Sequence, residues 1–150
     1  MNILITGATG FIGKYLTKSL CSNHVVTVVV RDEAKARNTF GNSVNYLSTN
    51  SSSFSDELKS LKVDVVFHLA ANADVRFGLN HPSKDLNQNT IATFNVLQAM
   101  KERGIKKIIF SSTGSVYGES KKIPTPENDE FPIQTSLYGA SKVACEALIQ

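Results

Sequence analysis

Thr6-Gly7-Ala8-Thr9-Gly10-Phe11-Ile12-Gly13 is the stretch whose reading decides the fold. Before it stands Asn2-Ile3-Leu4-Ile5, a short apolar run with the bias of a buried strand. After it, Phe11, Ile12, Tyr15, Leu16 and Leu20 recur at helical spacing, and this predicts an amphipathic helix with those residues on its apolar face. Strand, glycine turn and helix follow in that order. A helix N-terminus so placed aims unpaired N–H groups and a positive dipole end at an anion, the arrangement that holds a pyrophosphate. Gly7 allows the tight turn, Gly10 removes a Cβ from the path of the phosphates, and Gly13 lets the helix lie close on the strand. The spacing is G-x-x-G-x-x-G, a variant of the commoner fingerprint, and the expected ligand is a dinucleotide.

Further strands follow at intervals. Val25–Val30 is a continuous β-branched run suited to a parallel strand covered on both faces. It ends in Arg31-Asp32, where an adenosine ribose is expected: the acid suits a 2′-hydroxyl and the arginine a 2′-phosphate. The alternative is that the two residues cap the short helix Glu33–Asn38. Val44–Leu47 reads as a third strand, Val63–Leu69 as a fourth and Ile105–Phe110 as a fifth. Helices are expected at Ser55–Leu61 and Ser83–Arg103, the second stopped by Gly104. The result is an α/β fold, a doubly wound parallel sheet of Rossmann type, in one domain over residues 1–150. His68, at the end of an apolar run, reads as a buried structural residue. Ala70-Ala71 offers small side chains beside a flat ligand, and Asn89 stands out as a hydrogen-bonding residue inside a helix. Ser48–Ser53 is a polar loop, and the long segment Glu119–Thr135, with three of the four prolines, reads as a functional or covering loop.

Composition narrows the class. A 41% hydrophobic and 19% charged chain is ordinary for a soluble globular protein, and a net charge of +3 without a basic stripe gives no case for nucleic acid. No apolar run is long enough to span a membrane, and the N-terminus enters a core strand where a secretion signal would stand. Cys21 and Cys145 form no disulfide or metal spacing, so a reduced cytoplasmic setting and no metal site are expected.

Ser111, Ser112 and Thr113 lie at the end of the fifth strand, where ligands bind in such sheets. Tyr138-Gly139-Ala140-Ser141-Lys142 then places a phenol and an ammonium four residues apart on one helix face. A nearby ammonium favours the phenolate, and a tyrosine tuned this way exchanges a proton with a substrate alcohol as hydride leaves or returns to its carbon.

Together Thr6–Gly13, His68–Ala71, Asn89–Asn95, Ser111–Gly118 and Tyr138–Lys142 resemble the N-terminal half of an extended short-chain dehydrogenase/reductase. The likeness is to the NAD-dependent epimerase/dehydratase family typified by UDP-glucose 4-epimerase. The resemblance implies that Tyr138 is the catalytic base, that Lys142 assists it and binds the nicotinamide ribose, and that Thr113 bonds the reacting hydroxyl. It places Phe11 and Ile12 on the pyrophosphate and Leu69, Ala70, Ala71, Asn89 and Ser111 along the cofactor. The cofactor implied is NAD, with NADP the alternative raised by Arg31. The partners implied are a UDP-sugar and a second copy of the chain in a homodimer. Gly114-Ser115 stands where sugar-nucleotide 4,6-dehydratases carry an Asp-Glu pair, which argues against dehydration. An NADP-dependent ketone reductase of dihydroflavonol or hydroxysteroid type and a catalytically silent dinucleotide-binding module are the other readings. Family members run on for about as long again past Gln150. The resemblance therefore implies that the last strands and the substrate domain are absent and that the 150 residues alone are inactive.

Overall fold

The computed structural model describes residues 1–52, 54–76, 80–129 and 133–150, so Ser53 of the polar loop and Glu130 of the covering loop lie outside the described residues. The chain divides into two compact units, one formed by Met1–Ala70 and Ala99–Ser111, the other by Ala71–Gln98 and Ser112–Gln150.

The first unit holds the sheet. Its strands are β1 (Asn2–Thr6), β2 (Val25–Val30), β3 (Asn45–Ser48), β4 (Val65–His68) and β5 (Ile108–Phe110), all parallel, in the order β3-β2-β1-β4-β5. The strands after β1 are laid down to one side of it and then to the other, so the topological switch point falls between β1 and β4, where such sheets take their ligands. Ile3, Ile5, Val26 and Val28 are buried on successive strands, as expected of a parallel sheet covered on both faces. Helices α1 (Phe11–Leu20), α2 (Glu33–Phe40) and α3 (Phe54–Ser60) connect the strands.

Two strands are shorter than the sequence predicts, and both losses have a cause. β4 starts at Val65 because Asp64 is tied side chain and backbone to the first residue of β1, its backbone N–H donating to Asn2 O and its carboxylate accepting from Asn2 N at 2.7 Å. β5 starts at Ile108 because Ile105 completes a helix cap: Gly104, at φ +65°, donates to Lys101 O, and Ile105 N donates back to Met100 O at 2.9 Å.

The buried face of α1 also differs from expectation. Phe11, Ile12 and Tyr15 are exposed, whereas Leu16 and Leu20 of the same expected face are half-buried, Leu20 against the core, and the fully buried residues are Gly13 and Thr17. The reason is proximity. A Cβ on Gly13 would lie 2.2 Å from Gly7 O, so the helix sits too close to the turn for a bulky apolar side chain.

The predicted helix Ser83–Arg103 is found as an unbroken helical run from Pro82 to Glu102 with a change of winding inside it. α4 (Pro82–Asp85) leads into a π-helical turn at Leu86–Ile91 and then α5 (Ala92–Glu102), whose last residues, from Ala99 on, belong to the first unit. Leu86, Ile91 and Phe94, expected on a covered apolar face, are about half exposed. The face turned inward is polar: Asp85, Asn89 and Thr93, four residues apart, are each 1% exposed. A 3₁₀ turn at Gly114–Tyr117 and helix α6 (Leu137–Ile149) complete the second unit. Ser136 caps α6 by accepting from Gly139 N at 2.9 Å.

Candidate functional site

In the first unit the site is built mostly from backbone. Gly7 adopts φ +73°, and a Cβ there would lie 2.6 Å from Ala70 N and from Leu69 C. Only glycine fits, because Leu69-Ala70, leaving β4, passes directly over the turn leaving β1. Gly10 N donates to Gly7 O at 3.0 Å and closes the turn. Gly10 is then the N-cap of α1 and has no side chain to satisfy the first-turn amides of Phe11, Ile12 and Gly13. Those N–H groups and the dipole behind them form a cradle that fits a pyrophosphate. The predicted residues Gly7, Gly10, Phe11, Ile12, Gly13, Leu69 and Ala70 are therefore gathered at one turn.

Thr6 fixes the neighbouring strand end. Its hydroxyl accepts from Ala70 N at 3.2 Å and lies 2.7 Å from His68 Nδ1. His68 is 1% exposed and stacks on Phe110, with ring centroids 5.8 Å apart, in keeping with a structural role. Ser111 follows β5, and its N–H donates to His68 O. At the end of β2, Asp32 caps α2 by accepting from Lys35 N at 2.9 Å. The exposed Arg31 is held by its backbone, its carbonyl accepting from Asn50 Nδ2 at 2.8 Å.

In the second unit the site is built from side chains on α6. Tyr138 and Lys142, one turn apart, are 8% and 2% exposed. Burial pushes the Lys142 ammonium below the ordinary lysine range, while the charges of Cys145 and Glu146 act the other way. Thr113 caps the 3₁₀ turn by accepting from Ser115 N at 3.2 Å.

A hydrogen-bonded chain fastens α6 in place. Asn72 N donates to Asn89 Oδ1 at 2.7 Å, and Asn89 Nδ2 donates to Ser141 Oγ at 2.9 Å. Ser141 Oγ in turn donates to Tyr138 O at 2.7 Å. Asp85 joins at the far end, accepting from Asn72 Nδ2 at 2.8 Å, and Thr93 donates to Cys145 Sγ. Ala71, expected along the cofactor, directly precedes Asn72 in the sequence. Asn89, singled out in the sequence, spends its described bonds inside the protein. Asn72, Asp85, Thr93 and Ser141 were not singled out. The signal for Asp85 and Thr93 was the polar repeat Asp85-x-x-x-Asn89-x-x-x-Thr93, a stripe at the spacing that apolar residues occupy on an ordinary buried helix.

Among the described residues no group of His, Cys, Asp or Glu could hold a metal ion, and no helix is long and apolar enough to cross a membrane.

Known proteins resemble this chain in sequence and fold. The chain is 34% identical to UDP-glucose 4-epimerase of Lacticaseibacillus casei over an alignment of 158 positions that takes in 99% of this chain and 46% of that protein. A crystal structure of UDP-galactose 4-epimerase superposes with a TM-score of 0.83 at 37% identity, covering 99% of this chain and 50% of that one. UDP-glucuronic acid 4-epimerase from Bacillus cereus, solved with UDP-glucuronic acid and NAD, gives a TM-score of 0.81 at 30% identity, with 99% and 51% covered. The chain thus spans about half the length of the curated relatives it matches. The NAD dependent epimerase/dehydratase family matches residues 3–150, and with the switch-point glycine turn and the Tyr138–Lys142 helix both in place, the chain belongs to that family.

Proposed function

We propose that the protein carrying this chain is a nucleotide-sugar 4-epimerase that binds NAD and acts on a UDP-sugar. The observation that carries the reading is Lys142, a cation held 2% exposed one helical turn from Tyr138. Burying a lysine is costly, and the Tyr138–Lys142 spacing supplies a chemical use for it.

The cradle of Gly7, Gly10 and Gly13 would hold the cofactor pyrophosphate through the amides of Phe11 and Ile12. Leu69, Ala70, Ala71, Asn89 and Ser111 would lie along the rest. Asp32 would meet the adenosine ribose, and Arg31 is the group through which NADP would be admitted. When bound, the nicotinamide supplies a reversible hydride acceptor. The chain supplies the proton chemistry. The Tyr138 oxygen takes the proton of the sugar hydroxyl as the carbon is oxidised and returns it when the carbon is reduced from the other face. Thr113 Oγ1 hydrogen-bonds that hydroxyl and orients it, and the Lys142 ammonium sets the charge beside the base and bonds the nicotinamide ribose.

The remaining assignments are part of the same proposal. Residues 1–150 form the NAD(P)-binding domain and are inactive alone, the protein works as a homodimer, and the free thiols Cys21 and Cys145 suit a cytoplasmic setting.

A coupled assay on UDP-glucose and UDP-glucuronate with the full-length protein tests the reaction. Tyr138→Phe should lower kcat by about 10²- to 10⁴-fold while NAD affinity by titration calorimetry holds. Unaltered turnover would remove Tyr138 from its role. Cofactor choice is read from Arg31→Ala, which should weaken NADP about tenfold to a hundredfold more than NAD if the guanidinium meets a 2′-phosphate. Equal losses would leave Arg31 a surface residue.

A further inference from the structure

We propose that Glu146 is a positioning residue of the active site, holding Ser112, and with it the Thr113 hydroxyl one residue on, to the helix that carries Tyr138 and Lys142. This rests on the epimerase reading for the reaction it serves.

The geometry is a tether between distant parts of the chain. Ser112 Oγ donates to Glu146 Oε1 across 34 positions of sequence. Thr113 is then fixed on both sides, by this bond before it and by its own cap to Ser115 N after it. Glu146 follows Lys142 by four residues, so the two side chains share one face of α6. The carboxylate therefore has two partners to serve, the Ser112 hydroxyl and the Lys142 ammonium.

The second partnership has a direction. Burial lowers the Lys142 pKa, and the charges that oppose this are Cys145 and Glu146. Besides Lys142, α6 carries the titratable groups Tyr138, Cys145 and Glu146, and of the elements bonded to or packed against it α4 carries Lys84 and Asp85, the 3₁₀ turn Tyr117, and α5 Lys101 and Glu102 two turns beyond its Thr93 contact. Cys145 is fully buried and receives the Thr93 hydroxyl, whereas Glu146 is half-buried and bonded to Ser112. Glu146 is the carboxylate of this set that acts on Lys142, so neutralising it should let Lys142 lose its proton at lower pH.

The tether and the charge can be separated. Glu146→Gln keeps an oxygen that accepts from Ser112 and removes the charge, whereas Ser112→Ala keeps the charge and removes the tether. In the full-length protein, lysine labelled with ¹³C at Cε reports the Lys142 titration without substrate, the resonance being assigned with Lys142→Met. Glu146→Gln should move the Lys142 midpoint down by roughly half a pH unit or more, and the alkaline limb of the kcat–pH profile should move with it. Ser112→Ala should leave the midpoint in place and lower kcat about two- to tenfold, with the KM for the sugar nucleotide unchanged. An unmoved midpoint in Glu146→Gln, or an unchanged kcat in Ser112→Ala, would overturn the proposal. So would losses that merely track a fall in the urea-unfolding midpoint, since they would make the contact structural. A wild-type protein without epimerase turnover would overturn the reaction assignment instead, and the Lys142 midpoint, read without substrate, decides for or against Glu146 by itself.

Discussion

The glycine turn after β1 and the helix bearing Tyr138 and Lys142 present their chemistry by opposite means. At the turn the useful groups are backbone amides, and the side chains matter by being absent: Gly7 and Gly13 leave room that a Cβ would fill with overlap at 2.6 and 2.2 Å. On α6 the useful groups are a phenol and an ammonium, and the helix that carries them is held by other side chains, Asn89 reaching it through Ser141 and itself bonded by Asn72. A cradle of backbone is therefore sensitive to anything added. A side-chain network is sensitive to anything taken away.

Additions at the turn should show the largest effect on the fold. Gly13→Ala places a methyl against the Gly7 carbonyl and should cost about 3 kcal/mol, read as a fall in the urea-unfolding midpoint. Gly10→Ala at the same turn meets only Gly7 O, at 3.2 Å, and should spare the fold while weakening NAD in calorimetry. Equal stability losses at the two positions would show that the turn has no special closeness at Gly13.

Removal from the network comes next. Asn89→Ala leaves the Asn72 N–H without its acceptor in a buried setting and should cost about 2 kcal/mol. Asn89→Asp keeps the acceptor for Asn72 N but cannot donate to Ser141, so it should recover less than half of that loss. Wild-type stability in Asn89→Ala would mean that α6 is held by apolar packing alone.

The smallest effect is a slope with pH. Because burial lowers the Lys142 pKa from 10.5, the unfolded chain binds more protons at this residue between the lowered value and 10.5. Stability therefore rises with pH across that window, and the penalty of the buried cation is fully present below it. Lys142→Met removes the penalty. It should stabilise the protein at neutral pH, and its advantage should narrow as pH approaches 10.5. A gap that stays constant from pH 7 to 10.5 would show that the lysine is not burdened by burial.

Much of the first unit was legible because its signals are local. The β-branched run Val25–Val30 and the short apolar run before Gly7 each name a buried strand without reference to the rest of the chain, and both strands are found. The α1 face was misread for an instructive reason. Phe11, Ile12 and Tyr15 have helical spacing, but spacing states which residues share a side and is silent on which side turns inward. That choice went to Gly13 and Thr17 through close approach to the Gly7 carbonyl.

By itself the sequence determined the parallel α/β sheet, the glycine turn with its open helix N-terminus, and the presence of tyrosine and lysine one turn apart. Each is written within a few neighbouring residues, where glycine conformation, β-branching and helical periodicity act. Only the tertiary structure decided that the segment before α5 takes a π turn, that Asp85, Asn89 and Thr93 face inward, and that Asn89 joins Asn72 to Ser141. Those bonds link residues 17 and 52 positions apart. A buried polar atom is satisfied by whatever partner the packed chain brings to it, and no local pattern of residues names that partner in advance.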